Sequence, residues 1–101
     1  MRKKPITREQ LRHLLAAFKA RHGAEYSLLA LGYFGSYARD STTPDSDVDI
    51  VFDTSAPNLF MTAMMKQDLE GLLGCPVDVL QLRGLTNLRL KARIEREAVY
   101  V

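Results

Sequence analysis

Two short patterns within one segment, GYFGSYARDSTTPDSDVDIVFD, carry residue types suited to phosphate and metal chemistry. Gly35 and Ser36 form a small-residue turn, and after ten intervening residues Asp47 and Asp49 follow in an Asp-Val-Asp alternation. A turn of this kind can present backbone N–H groups and a hydroxyl to a phosphate. Two carboxylates on one strand face repel each other unless a cation lies between them. Together, the two patterns indicate metal-assisted transfer of a nucleotidyl group.

The elements around the phosphate turn can be predicted from the same segment. The apolar run 28–34 is typical of a buried strand that ends at Gly35. Ser36 then begins a short helical turn, whose unpaired N–H groups and hydroxyl are natural donors to a triphosphate. Arg39 lies one turn further on and could contact the same anion. The alternatives for Arg39 are a phosphate contact and an ordinary surface ion pair.

A second strand should carry the metal-binding acids. In the alternating run 47–52, Asp47 and Asp49 share one face and the apolar residues share the other. Hard oxygen ligands of this type favour Mg²⁺. Asp53 falls on the same face, but its place beside Thr54 and Ser55 favours a turn or helix-approach role.

A third acid, Asp78, interrupts the short apolar run 76–80, which also predicts a strand. A lone aspartate in such a run is costly unless it is paired or bound to metal. If this strand lies beside the strand of Asp47 and Asp49, Asp78 joins them in a site for two metal ions. A surface acid next to a turn is the alternative for Asp78.

The rest of the chain predicts a scaffold in the order α-β-β-α-β-α, with a short closing strand. Helical periodicity and capping residues mark each helix. The predicted boundaries are a first helix from a Thr7 capping box to Gly23, a second from about Asn58 to Gly74, a third capped by Thr86, and a closing strand at 98–101.

Length and composition set limits on the possible functions. The chain has 101 residues, which predicts a single domain over 1–101. A net charge of +2 is too small to argue for direct nucleic-acid binding. No apolar run reaches membrane-spanning length and no signal-peptide core follows the N-terminus, so a cytoplasmic protein without membrane contact is expected. A single Cys75 permits no internal disulfide.

These motifs make the chain similar to minimal nucleotidyltransferases of the DNA polymerase β superfamily, and most of all to MntA-type antitoxins, which are encoded beside a HEPN-domain ribonuclease toxin. The resemblance implies a small polymerase-β-like fold of the α/β (α+β) class, with a mixed β-sheet flanked by helices. It implies that Gly35 and Ser36 hold the triphosphate, and that Asp47 and Asp49 bind two Mg²⁺ ions. Asp78 would contact the catalytic metal and help to deprotonate the acceptor hydroxyl.

The same resemblance implies a function and a partner. The chain would transfer AMP from Mg-ATP to a tyrosine of a cognate HEPN toxin and so neutralise it. One departure from the family pattern is Asp40, where many relatives carry glycine, and this leaves the loop conformation open. Two alternatives remain: a small-molecule nucleotidyltransferase whose acceptor is bound by another chain, and a catalytically inactive antitoxin that acts by occlusion.

Overall fold

The protein is described by a computed structural model that covers residues 6–42 and 47–101. Over these ranges the predicted order of elements is confirmed. The helices are α1 (Arg8–His22), α2 (Leu59–Leu73) and α3 (Leu88–Glu97), with a short 3₁₀ turn at Leu82–Gly84 before α3. The strands are β1 (Leu28–Phe34), β2 (Val48–Thr54), β3 (Val77–Gln81) and β4 (Val99–Tyr100).

The strands form one mixed sheet in the order β3-β2-β1-β4. β1 pairs antiparallel with both β2 and β4, whereas β2 and β3 are parallel. A parallel pair needs a crossover connection, and α2 supplies it. The mixed sheet flanked by helices confirms the predicted fold class.

The two faces of the sheet have different coverings. Residues 48, 50 and 52 of β2 point into a large apolar core that α1 and α2 complete. On the other face Val51 packs with Phe34 and with Ile94 of α3. Because side chains alternate along a strand, Asp49 and Asp53 share the α3 face with Val51. The acids of β2 therefore lie on the side of the sheet that α3 covers only in part.

The local signals in the sequence placed most helix ends correctly. Thr7 and Gln10 form the predicted capping box, with hydrogen bonds of 2.9 and 3.0 Å. Asn58 caps α2, and Gly74 ends it in the left-handed conformation with φ of 71°. The predicted cap of α3 was wrong by one residue, because the Asn87 side chain, and not that of Thr86, accepts the hydrogen bond from the Leu90 N–H. In the described ranges no helix combines the length and apolar character needed to cross a membrane.

Gly32 allows β4 to lie directly against β1. A Cβ at this position would lie 2.5 Å from the Val99 carbonyl oxygen and 3.0 Å from the Tyr100 Cα. We expect Gly32→Ala to lower the free energy of unfolding by about 1–3 kcal/mol, because the backbone of β4 must move away. Urea unfolding measures this change.

Gly71 provides the matched control. It lies within α2 and a Cβ there meets nothing within 4 Å. Gly71→Ala should stabilise the protein by about 0.5–1 kcal/mol through helix propensity. Equal effects of the two substitutions would contradict the close approach of β4 to β1.

Candidate active site

The phosphate turn begins where β1 ends. Gly35 has φ of 70°, a left-handed conformation that favours glycine. A Cβ at Gly35 would collide with Oδ2 of Asp49, so the backbone of the turn lies directly against that carboxylate. The structure therefore brings together the two predicted halves of the site, the Gly35 turn and the acid of β2.

The turn is held by its own backbone and by one buried side chain. The Arg39 N–H donates to the Gly35 carbonyl oxygen at 3.0 Å, and the Ser41 N–H donates to that of Ser36 at 2.9 Å. Tyr37 is 2% exposed and belongs to the main core, which anchors the turn to the sheet. Asp40 has φ of 55°, a left-handed conformation that aspartate adopts less readily than glycine.

The acids lie where neighbouring strands begin. The parallel register places Asp78 of β3 beside Asp49 of β2. Asp47 precedes β2 and is exposed, Asp49 is half-buried, and Asp78 is exposed. Burial raises the pKa of Asp49, and the charges of Asp78 and Asp47 raise it further, while Arg39 and Arg93 lower it in part. The site thus concentrates negative charge around one half-buried carboxylate.

The chemistry of this donor set suits a hard divalent cation. Among residues 6–42 and 47–101, no three acidic, histidine or cysteine side chains form a ready-made metal site. Carboxylate oxygens from Asp47, Asp49 and Asp78 are ligands that Mg²⁺ accepts, so the residues present fit the ion.

Two residues of α3 that were not predicted from the sequence, Glu97 and Arg93, also border this site. The Gly35 N–H donates to Glu97 Oε1 at 3.0 Å. The Arg39 guanidinium lies 3.3 Å from both carboxylate oxygens of Glu97, and Arg93 Nε lies 3.4 Å from Oε1. Only the i, i+4 spacing of Arg93 and Glu97 is visible in the sequence.

Arg39 forms an ion pair with Glu97, and the structure corrects the prediction for Asp53. Asp53 lies within β2 and not in a turn. Its carboxylate pairs with Arg83 Nε at 2.9 Å and accepts the Thr54 N–H at 3.0 Å. Asp53 is thus paired with its own cation and does not join the group of acids formed by Asp47, Asp49 and Asp78.

Comparisons with known proteins agree with this fold. The nucleotidyltransferase domain family matches residues 11–101. Protein adenylyltransferase MntA of Thermococcus cleftensis is 35% identical over 97 residues, which cover 95% of this chain and 97% of that protein. A solved minimal nucleotidyltransferase superposes with a TM-score of 0.79 at 35% identity, over 93% of this chain and 95% of the other.

A more distant structure shares the fold alone. It is a chain from the complex of tri-AMPylated Shewanella oneidensis HEPN toxin with MNT antitoxin, at 19% identity and a TM-score of 0.60, covering 92% of this chain and 66% of that chain. Fold and relatives together define an enzyme of the nucleotidyltransferase class. The chain belongs to the nucleotidyltransferase domain family, and its resemblance to MntA-type adenylyltransferases is confirmed.

The raised pKa of Asp49 predicts a stability cost at neutral pH. A carboxyl group whose pKa is higher in the folded state than in the unfolded state destabilises the fold once it ionises. Its contribution to the free energy of unfolding is therefore most favourable below the unfolded pKa, and this advantage is lost as pH rises through the folded pKa. Asp49→Asn should therefore raise the thermal midpoint in metal-free buffer at pH 7, with a smaller gain at acidic pH. Thermal unfolding across pH measures both.

Asp53→Asn is the control for this experiment. It removes an acid from the same strand face but breaks the ion pair with Arg83, so no gain in thermal midpoint is expected. Added Mg²⁺ should stabilise the wild type more than Asp49→Asn. An unchanged midpoint in Asp49→Asn would contradict the electrostatic description of the site.

The left-handed Gly35 gives a second prediction. Gly35→Ala should cost about 1–2 kcal/mol of unfolding free energy through its backbone conformation alone, and should also displace the Asp49 carboxylate. Gly84→Ala is the control, because its added Cβ would make only ordinary contacts with Gln81 at 3.9 Å and beyond. Chemical denaturation compares the free energies of unfolding of the two variants. Equal decreases would contradict a left-handed conformation at Gly35 that only glycine adopts without strain.

Proposed function

We propose that this chain transfers AMP from Mg-bound ATP to a tyrosine hydroxyl of a HEPN-domain toxin and thereby neutralises it. The observation that carries this proposal is the register of β2 and β3, which sets Asp78 beside Asp49 next to the Gly35 turn. The groups that we propose to bind phosphate and metal are thus adjacent in the structure.

Each residue has a role that its position allows. Gly35 and Ser36 would hold the triphosphate through the turn, and Arg39 would add positive charge at its rim. Asp47 and Asp49 would hold two Mg²⁺ ions, with Asp78 as the third ligand. When bound, these ions supply the charge that stabilises the transferring phosphoryl group and favours ionisation of the attacking hydroxyl.

The proposed transfer is a displacement at the α-phosphorus of ATP. The tyrosine oxygen forms a bond to the α-phosphorus of ATP, and the bond from that phosphorus to the bridging oxygen of the β-phosphate breaks. Pyrophosphate leaves, and Asp78 accepts the phenolic proton. Asp78 suits this role because it is exposed on β3, at one edge of the sheet, where a large acceptor can approach.

The choice of a protein acceptor rests on relatives. One relative is named a protein adenylyltransferase, and a structure of the same fold contains an AMPylated HEPN toxin with an MNT antitoxin. An AMP group would add bulk and negative charge to the toxin. We place this reaction in the cytoplasm, without membrane contact and without direct nucleic-acid binding by this chain.

Asp78→Asn separates catalysis from binding. The variant should bind Mg-ATP and the toxin with affinities close to wild type, but its rate of transfer should fall by at least about a hundredfold, because a general base is lost. Mass spectrometry of the toxin after incubation with each nucleoside triphosphate would reveal the transferred group and the modified residue. Calorimetry would measure nucleotide affinity.

Two further variants complete the test. Asp53→Asn should transfer normally, since Asp53 pairs with Arg83 away from the cluster. Double replacement of Asp47 and Asp49 by Asn should abolish transfer. If Asp78→Asn protects cells from the toxin without any AMP on it, neutralisation is by occlusion. Transfer by the wild type to a small molecule and not to the toxin would favour the other alternative.

A further inference from the structure

Glu97 makes a connected set of contacts beside the candidate site. Its carboxylate accepts the Gly35 N–H at 3.0 Å and lies 3.3 Å from the Arg39 guanidinium and 3.4 Å from Arg93 Nε. The side chain is 17% exposed, although it carries a charge. One residue of α3 thus links the phosphate turn to two guanidinium groups.

These contacts keep Glu97 ionised. Burial raises the pKa of Glu97, but the hydrogen bond from Gly35 and the charges of Arg39 and Arg93 outweigh burial and hold the pKa below its usual range. Because Gly35 lies directly against the Asp49 carboxylate, Glu97 and the arginines that it contacts border the same turn as Asp49.

Glu97 and Asp49 touch different atoms of Gly35. Asp49 lies against the Cα, where a Cβ would project, whereas Glu97 binds the N–H. A phosphate that replaced Glu97 would have to break its contacts with one amide and two guanidinium groups. A phosphate on the Asp49 side would leave all of those contacts in place.

We propose that Glu97 is a positioning residue for the transfer reaction: it fixes the Gly35 turn and aims Arg39 and Arg93 at the phosphates bound beside Asp49. This inference rests on the proposed function and adds to it two residues of α3. Glu97 itself touches no reacting atom. It acts through the turn and the two arginines, so its removal should impair the geometry of transfer more than the capture of ATP.

Glu97→Gln tests the proposal because it keeps the shape of the side chain and removes its charge. We expect kcat for transfer to the toxin to fall by about ten- to hundredfold through misplacement of the turn, with KM for ATP changed by less than about threefold. The Gly35 amide should exchange faster with solvent in hydrogen-exchange NMR. Glu95→Gln, on the same helix, is the control and should change none of these values.

Each outcome of these measurements supports or overturns the proposed positioning role of Glu97. An unchanged kcat in a folded Glu97→Gln overturns the proposal, and so does tighter ATP binding with a higher kcat/KM, which would make Glu97 a competitor of the phosphate. If Glu97→Gln does not fold, Arg93→Gln should show a kcat loss in the same direction, and no loss there overturns the proposal. If the wild type transfers nothing, the proposed function fails as well, whereas failure of this inference alone leaves transfer and its Asp78 dependence intact.

Discussion

The parallel pairing of β2 with β3 is the constraint on which the site depends. It places Asp49 and Asp78 side by side, although like carboxylate charges repel each other. The opposite face supplies the compensation, since Val48, Ile50 and Val77 are at most 2% exposed in the main core. Burying such side chains contributes roughly 1.5–3 kcal/mol each, whereas repulsion between partly solvated charges is on the order of 1 kcal/mol. Apolar burial therefore holds the acids together.

The return of the chain through α3 completes the surroundings of the acids. The small Gly32 lets β4 pair with β1, and the preceding helix then packs Ile94 onto Val51 and Phe34. One turn after Ile94, Glu97 reaches the Gly35 amide. A contact between two residues 62 positions apart in sequence thus holds the turn, and for that reason no local pattern in the sequence predicted it.

The predictions from sequence succeeded where the signal is local. The apolar run before Gly35 gave β1, and the Thr7 capping box and Gly74 gave helix ends, because caps and turns depend on a few adjacent residues. Asp78 could be placed beside Asp49 only under the condition that their strands pair, and the structure meets that condition.

Other features depended on contacts that a linear pattern does not contain. Asp53 has the same alternation as Asp49, yet Arg83 from the segment after β3 neutralises it. The partner of the Gly35 amide, Glu97, belongs to a helix distant in sequence, so this contact could not be predicted. The roles in binding and catalysis remain predictions for the six residues named in the sequence: Gly35, Ser36, Arg39, Asp47, Asp49 and Asp78.

The order of the strands suggests from which sides the nucleotide and the acceptor would approach the candidate site. The Gly35 turn and α3 border the Asp49 cluster on one side, and their cations, Arg39 and Arg93, suit a polyphosphate. On the other side β3 is an edge strand, and Asp78 is exposed there. Nucleotide and acceptor would therefore approach from opposite sides and meet at Asp49. An edge that is open to a large surface suits a protein acceptor better than a small molecule, which needs an enclosing pocket to bind.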